Sequence, residues 1–209
     1  MRPSFRRIPL LTIALAALAL AIWAIPGAAD ALQYDRTALG TGELWRLVTG
    51  HWAHWSTDHL VWDLLVFAVF GALAERQSRR RFATIVVSSA IAISAAVWLF
   101  APQFSHYRGL SGIDSALFAA FFAQLLRDAR QQRSLLQAIV PALALVGFVG
   151  KSAYELITGA TLFVAPAAAF TAVPLAHLVG ATVGVALTLA STTHPTPIRH
   201  WCQPQPQSN

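Results

Sequence analysis

The sequence predicts an all-α fold, a polytopic membrane bundle of six transmembrane helices, and three observations predict it. Apolar residues make up 56% of the 209 positions and charged residues only 11%, against roughly 25% charged in an average soluble domain. The apolar residues fall into six separable runs. The basic residues gather in every second gap between those runs. A soluble fold needs far more polar surface, so the solvent for most of this chain is lipid.

The runs cover about 8–25, 59–73, 82–100, 111–126, 135–150 and 173–189. Each is near the ~20 residues that cross a hydrocarbon core, with the second, fourth and fifth short. Short spans imply a locally thinned bilayer, or helix ends buried in protein. Residues 1–193 form one membrane domain, and 194–209, proline-rich without an apolar run, form a disordered polar cytoplasmic tail.

Orientation follows from charge. With a cytoplasmic N-terminus, Arg2, Arg6, Arg7, the Arg76–Arg81 cluster, Arg127, Arg130, Arg133 and Arg199 lie inside, and Arg36, Arg46, Arg108 and Lys151 outside. That is eleven of the fifteen basic residues inside, as the positive-inside rule requires. The same clustering removes a nucleic-acid reading of the net charge of +6. The first run also has the layout of a secretory signal, with small residues over 26–31. Its cleavage would leave the remaining topology unchanged.

Two outer loops are substantial. The first, about 26–58, carries Trp45, Trp52 and Trp55, which suit the headgroup region. The second, about 151–172, is apolar and lies against the membrane or over a cavity. It starts with Lys151 and Glu155 at helical i,i+4 spacing. Gly180 and Gly184 form a small-xxx-small pair that lets another helix approach closely. The lone Cys202 has no disulfide partner within the chain.

Ionisable residues inside a bilayer are costly and are functional candidates by default. Here they are His59, Asp63, Asp114 and His177. Gly109-Leu110-Ser111-Gly112 adds a hydroxyl at the outer end of the fourth run, and the topology puts the whole set in the outer half of the bilayer. A serine hydroxyl attacks only when a base takes its proton, and a histidine does so at neutral pH. Ser111 at a helix N-terminus also places a developing oxyanion at the positive end of a helix dipole, with its backbone N–H aimed at it. Each element has a plainer reading. Gly-x-Ser-Gly packs helices, Asp114 bonds a neighbouring helix, and His51, His54 and His59 offer a loosely spaced metal set without the glutamate of a zinc motif.

Taken together and in order, these residues resemble the rhomboid intramembrane serine proteases over about residues 44–190. Trp45-Arg46 resembles the family's Trp-Arg motif, followed by His54 and His59. The second run resembles His-x-x-x-Asn and ends in Glu75. Gly109 to Gly112 matches Gly-x-Ser-Gly, and His177 with Gly180 and Gly184 matches His-x-x-Gly-x-x-x-Gly. The resemblance implies a rhomboid-like fold, Ser111 as nucleophile and His177 as general base. It implies His59 and the Ser111 backbone as oxyanion donors, with Asp63, Gly109 and Gly112 around them and His54 nearby. The implied substrate is a membrane protein cut in or beside its transmembrane segment. The implied partners are that substrate and the lipid bilayer; no metal, organic cofactor or nucleic acid is implied.

Two positions depart from the family pattern. Asp63 stands where the family has asparagine, and Ser115 where many members have a tyrosine that packs on the catalytic histidine. Asp114 is the candidate that would support His177 instead. The compact chain and Trp62-Asp63 after His59 resemble the bacterial rhombosortase subgroup. That implies a bacterial inner membrane, a site opening to the periplasm, and processing of C-terminal Gly-Gly-type sorting helices. The rivals are an inactive rhomboid-like protein that binds or escorts membrane segments, and a small transporter. The transporter would show broken helices in paired halves, which this sequence lacks.

Asp63, one turn after His59, is expected to hold that imidazole as an oriented donor rather than to face the oxyanion. Asp63→Asn then keeps substantial proteolytic activity, whereas His59→Ala loses roughly 10²-fold or more, the cost of one oxyanion donor. Equal and complete loss in both variants would reject this role.

Overall fold

Local signals set the helix ends. In the computed structural model, which describes residues 8–160 and 173–191, the elements run in order as α1 (Leu10–Ala24), α2 (Ala28–Leu32), β1 (Tyr34–Asp35), α3 (Arg36–Gly40), α4 (Arg46–Thr49) and a 3₁₀ turn (Gly50–Trp52). Then come α5 (Thr57–Gln77), α6 (Arg79–Phe100), β2 (His106–Tyr107), α7 (Ser111–Gln131), α8 (Leu135–Thr158) and α9 (Pro174–Ala190). Side-chain oxygens of Ser56, Ser78 and Ser134 accept from the backbone N–H three residues on and open α5, α6 and α8. Ser78 both closes α5 and opens α6, so the two antiparallel helices join with a single residue between them. Pro174 occupies the first position of α9, where its missing N–H costs nothing.

The second, fourth and fifth apolar runs, short in the sequence, belong to longer helices: α5, α7 and α8 have 21, 21 and 24 residues. An apolar run ends at the first charge, but a helix continues as long as its backbone bonds do. Arg76 at the end of α5, Arg127 to Arg130 in α7, and Lys151 with Glu155 in α8 all extend helices beyond their apolar runs. The last of these converts the start of the expected 151–172 loop into helix. Among the described residues three helices, α5, α6 and α8, are long and apolar enough to cross a membrane, and α1 and α9 are shorter apolar helices. The chain is thus an all-α integral membrane protein. Arg2, Arg6, Arg7, Arg199, Cys202, the 194–209 tail and the 161–172 part of the second loop lie outside the described residues.

Helix α7 is the hub, packing against α5, α6, α8 and α9. Its buried residues, among them Ile113, Ala116, Leu117 and Ala120, face Phe67, Phe82, Ile85 and Ile93 of α5 and α6 across the core. The outward faces remain apolar: Leu143, Val146 and Ile157 of α8 are 65%, 68% and 82% exposed. Surface of that kind suits lipid, not water. The tightest junction is α7 with α9. A methyl group at Gly180 would run into the carbonyl oxygen of Gly112, and one at Gly184 into that of Ala116. The small-residue pair therefore acts here as a backbone-to-backbone contact.

The first outer loop is folded. Tyr34 and Asp35 pair antiparallel with Tyr107 and His106, tying this loop to the one that leads into α7. Arg36 donates to the carbonyls of Val97, Trp98 and Ala101 at 2.8, 3.0 and 3.2 Å, closing the C-terminus of α6. Of the three tryptophans assigned to the headgroup region, Trp45 is 53% exposed but Trp52 is only 4% exposed and belongs to the core. The chain folds back there through the 3₁₀ turn, and the ring turns inward. At the other end, Glu75 of α5 accepts from the backbone N–H of Leu11 and Thr12 and from the Thr12 hydroxyl, at 3.0, 2.8 and 2.9 Å. A carboxylate from one helix thus caps the open N-terminus of another.

His51, in the 3₁₀ turn, is fully buried, with Nε2 3.0 Å from the Ala90 carbonyl and 3.2 Å from the Ser94 hydroxyl. Burial pushes its pKa down to about 4, against hydrogen bonds that raise it. The unfolded chain therefore takes up a proton at this residue at higher pH than the folded one does. Stability is complete above about pH 6.5 and falls as pH drops toward about 4, since one pH unit of such mismatch is worth about 1.4 kcal/mol. Thermal unfolding in detergent should show this part of the acid destabilisation disappear in His51→Gln. An unchanged pH dependence between 6.5 and 5 would exclude His51 as its source.

Candidate active site

Ser111 opens α7. The preceding Leu110 gives no side-chain cap, and Gly109 has φ +126°, a conformation that L side chains rarely adopt. A Cβ at Gly109 would also lie 2.7 Å from the imidazole of His59. Glycine is thus required twice over, for backbone shape and for space. The Tyr107 hydroxyl donates to the Gly109 carbonyl at 3.1 Å, and the Gly109 N–H donates to the Gly50 carbonyl at 3.3 Å. Burial, followed by the negative charges of Asp63 and Asp114, pushes the Tyr107 phenol up, so it remains a neutral donor. Arg108 reaches Gln33 at 2.8 Å and also pairs with Asp30, while its guanidinium lies 4.2 Å above the Trp55 ring. The loop before Ser111 is therefore held on three sides.

The Ser111 Oγ lies 3.0 Å from Nε2 of His177, one turn into α9. Sixty-six residues separate the two, and the glycine-mediated approach of α9 to α7 is what brings them together. Ser111 and His177 are both partly accessible, so the pair is open to a reactant.

The second expected pair is also present, but arranged differently. A single oxygen of Asp63, Oδ2, accepts from the backbone N–H of Leu110 at 2.8 Å and of Ser111 at 3.1 Å, and lies 3.2 Å from Nε2 of both His59 and His54. The expectation that the Ser111 N–H is free to face a substrate is corrected: that N–H is engaged with Asp63. The physical reason is that a buried carboxylate needs donors, and the uncapped start of α7 supplies two. Asp63 does touch His59, as the i,i+4 spacing anticipates. His54 joins the same oxygen, its ring edge-on to His59 with centroids 5.2 Å apart.

Asp114 is buried, and neither of its carboxylate oxygens has a hydrogen-bond partner among the described residues. The structure does not bring it to His177. Ser115 spends its hydroxyl on the Ser111 carbonyl, 2.7 Å away. The group that reaches His177 is Glu155 of α8. Its Oε2 is 3.4 Å from Nδ1, an ion-pair approach longer than a well-formed hydrogen bond, and its two oxygens each accept from Lys151 Nζ at 2.8 Å. The i,i+4 spacing of Lys151 and Glu155 is legible in the sequence, but the falling hydropathy there reads as the start of a loop. A lone carboxylate in an apolar stretch was the signal that would have found it. His51 bonds α6 and stands apart from the His54–His59 pair. Among the described residues no group of three or more His, Cys, Asp or Glu side chains is placed to hold a metal ion.

Gly180→Ala tests the dependence of the pair on helix approach. The added methyl must push α9 away from the Gly112 carbonyl, and a shift of about 1 Å in a reacting group costs on the order of 10²-fold in rate. The variant should still insert into the membrane but react with a serine-directed fluorophosphonate at least that much more slowly. Wild-type reactivity would show that the two helices tolerate separation.

The rhomboid domain family model matches residues 41–193. That interval starts in the first outer loop and includes His54, His59, Asp63, Ser111, Glu155 and His177. A comparison with curated proteins gives no match. Members of the matched family are generally serine proteases acting on membrane-embedded substrates, and some are inactive. With the match covering well over half of the sequence and an all-α membrane bundle beneath it, the chain belongs to the rhomboid family.

Proposed function

We propose that this chain is an intramembrane serine endopeptidase that cleaves membrane proteins in or beside a transmembrane segment. The observation that carries the reading is the 3.0 Å contact between the Ser111 hydroxyl and His177 Nε2. In the proposed reaction Ser111 Oγ attacks the substrate carbonyl carbon as its proton passes to Nε2, and the carbonyl π electrons move to oxygen. Collapse breaks the C–N bond, and the Nε2 proton goes to the leaving amine. A water molecule then repeats the sequence on the acyl-serine and releases the new carboxylate.

The donors gathered at Asp63 Oδ2 suit an oxyanion: two backbone N–H groups at a helix N-terminus and the ring of His59. In this reading the carboxylate oxygen holds their places in the resting site, and the substrate oxyanion takes over some of them as it forms. His54 adds a second imidazole 3.2 Å from the same carboxylate oxygen.

The further elements of the reading are six spans with both termini cytoplasmic, a site opening to the periplasmic side of a bacterial inner membrane, and substrates carrying C-terminal sorting helices. The distribution of Lys and Arg along the sequence supports the orientation. The resemblance to rhombosortases supports the substrate class.

Labelling of purified protein with a fluorophosphonate tests the nucleophile. Wild type should label, Ser111→Ala not at all, and His177→Ala more slowly by about 10³-fold or more. Labelling that persists in Ser111→Ala would end the nucleophile assignment. An unreactive wild type would favour a protein that binds membrane segments without cutting them.

A further inference from the structure

The described residues of α8 bury only Pro141, Ser152 and Glu155, while its apolar side chains, such as Leu143, Val146, Leu156 and Ile157, point outward. At its last two turns the helix therefore presents polar atoms to the protein interior. Ser152 and Glu155 are three residues apart on one face, and Lys151 and Glu155 four apart. Glu155 is 3% exposed. A buried carboxylate is costly unless paired, and is kept where it orients something. What it meets is the catalytic imidazole of the reading above.

We propose that Glu155 is a positioning residue that sets the tautomer and angle of His177, turning the Ser111–His177 pair into a Ser–His–Glu relay. This rests on the serine-protease reading. Three features argue for it. Oε2 of Glu155 approaches Nδ1 of His177, on the side of the ring opposite the atom that faces Ser111. A proton held on Nδ1 by a carboxylate leaves the Nε2 lone pair for the serine proton, whereas the other tautomer places a hydrogen where a base is needed. Lys151 holds both carboxylate oxygens at 2.8 Å, fixing the side chain while leaving Oε2 able to reach the ring. The polar residues that follow Ser111 in sequence are not bonded to His177: Ser115 bonds the Ser111 carbonyl, and Asp114 has no hydrogen bond among the described residues.

No covalent change occurs at Glu155. The Ser111 proton moves to Nε2, the imidazolium is faced by the Glu155 carboxylate, and the same proton leaves with the amine. Glu155 keeps its charge throughout.

The test uses the full chain in detergent with ¹⁵N-histidine labelling, the His177 signals being assigned by their loss in His177→Ala. Wild type should show a predominantly Nδ1-protonated His177. Glu155→Ala should shift it toward the Nε2-protonated form and slow fluorophosphonate labelling of Ser111 by about 10²-fold, within the range assigned to general acid–base positioning. Glu155→Gln, whose amide oxygen still accepts a hydrogen bond at nearly the same volume, should keep the wild-type tautomer and recover much of that loss, and Glu155→Leu, which accepts none, carries the test if the alanine variant does not fold. An unchanged tautomer in Glu155→Ala or Glu155→Leu overturns the proposal, even if thermal stability falls, because a purely structural carboxylate has no reason to act on His177. A wild type that shows the Nδ1-protonated ring but never labels would instead refute the protease reading, leaving the contact with Glu155 intact.

Discussion

The backbone contact between α7 and α9 is the constraint on which the rest depends. In lipid, helices gain little from hiding apolar surface from one another, so association rests on close van der Waals contact. Gly180 and Gly184 permit that contact by presenting no side chain to the carbonyls of Gly112 and Ala116. One turn away, the same proximity sets the separation of Ser111 and His177. Helix packing and the Ser111–His177 contact thus use the same few atoms, and any residue larger than glycine at these two positions disturbs both.

Around that junction polar side chains fix irregular backbone. Arg36 closes the end of α6, Arg108 ties the approach to Ser111 to the first outer loop, and Tyr107 holds the Gly109 carbonyl. The two arginines make their contacts away from the Ser–His pair, whereas the Tyr107 hydroxyl also comes within reach of Ser111. They fix the position of the strained Gly109, whose backbone in turn decides where the N–H groups of Leu110 and Ser111 point. Functional geometry of this kind requires a supporting shell more rigid than a loop alone provides.

Much of this was legible in the sequence because membranes make polarity conspicuous. A histidine in an apolar run, a serine among glycines and a glycine pair four residues apart each stand out, and their order and spacing led to Ser111, His177, His59 and Asp63. Three things were not legible. A two-residue strand pair such as Tyr34–Asp35 with His106–Tyr107 has no periodicity to detect. Hydropathy falls before α8 ends, so the sequence pattern reads Glu155 as loop and offers Asp114 rather than Glu155 as the carboxylate nearest His177. The gathering of two backbone N–H groups and two imidazoles at Asp63 Oδ2 depends on three-dimensional convergence that i,i+4 spacing reports only in part.

The cap that Glu75 places on α1 links the N-terminal helix to the bundle by more than contact between greasy surfaces. Helix α1 lies ahead of the interval that matches the family, yet its first backbone amides are bound to a carboxylate inside it. If that helix were absent, Glu75 would keep Arg79 but face a hollow where its other ligands had been. The first helix is therefore bolted on as a structural member, and the energy of an unsatisfied anion guards against its detachment.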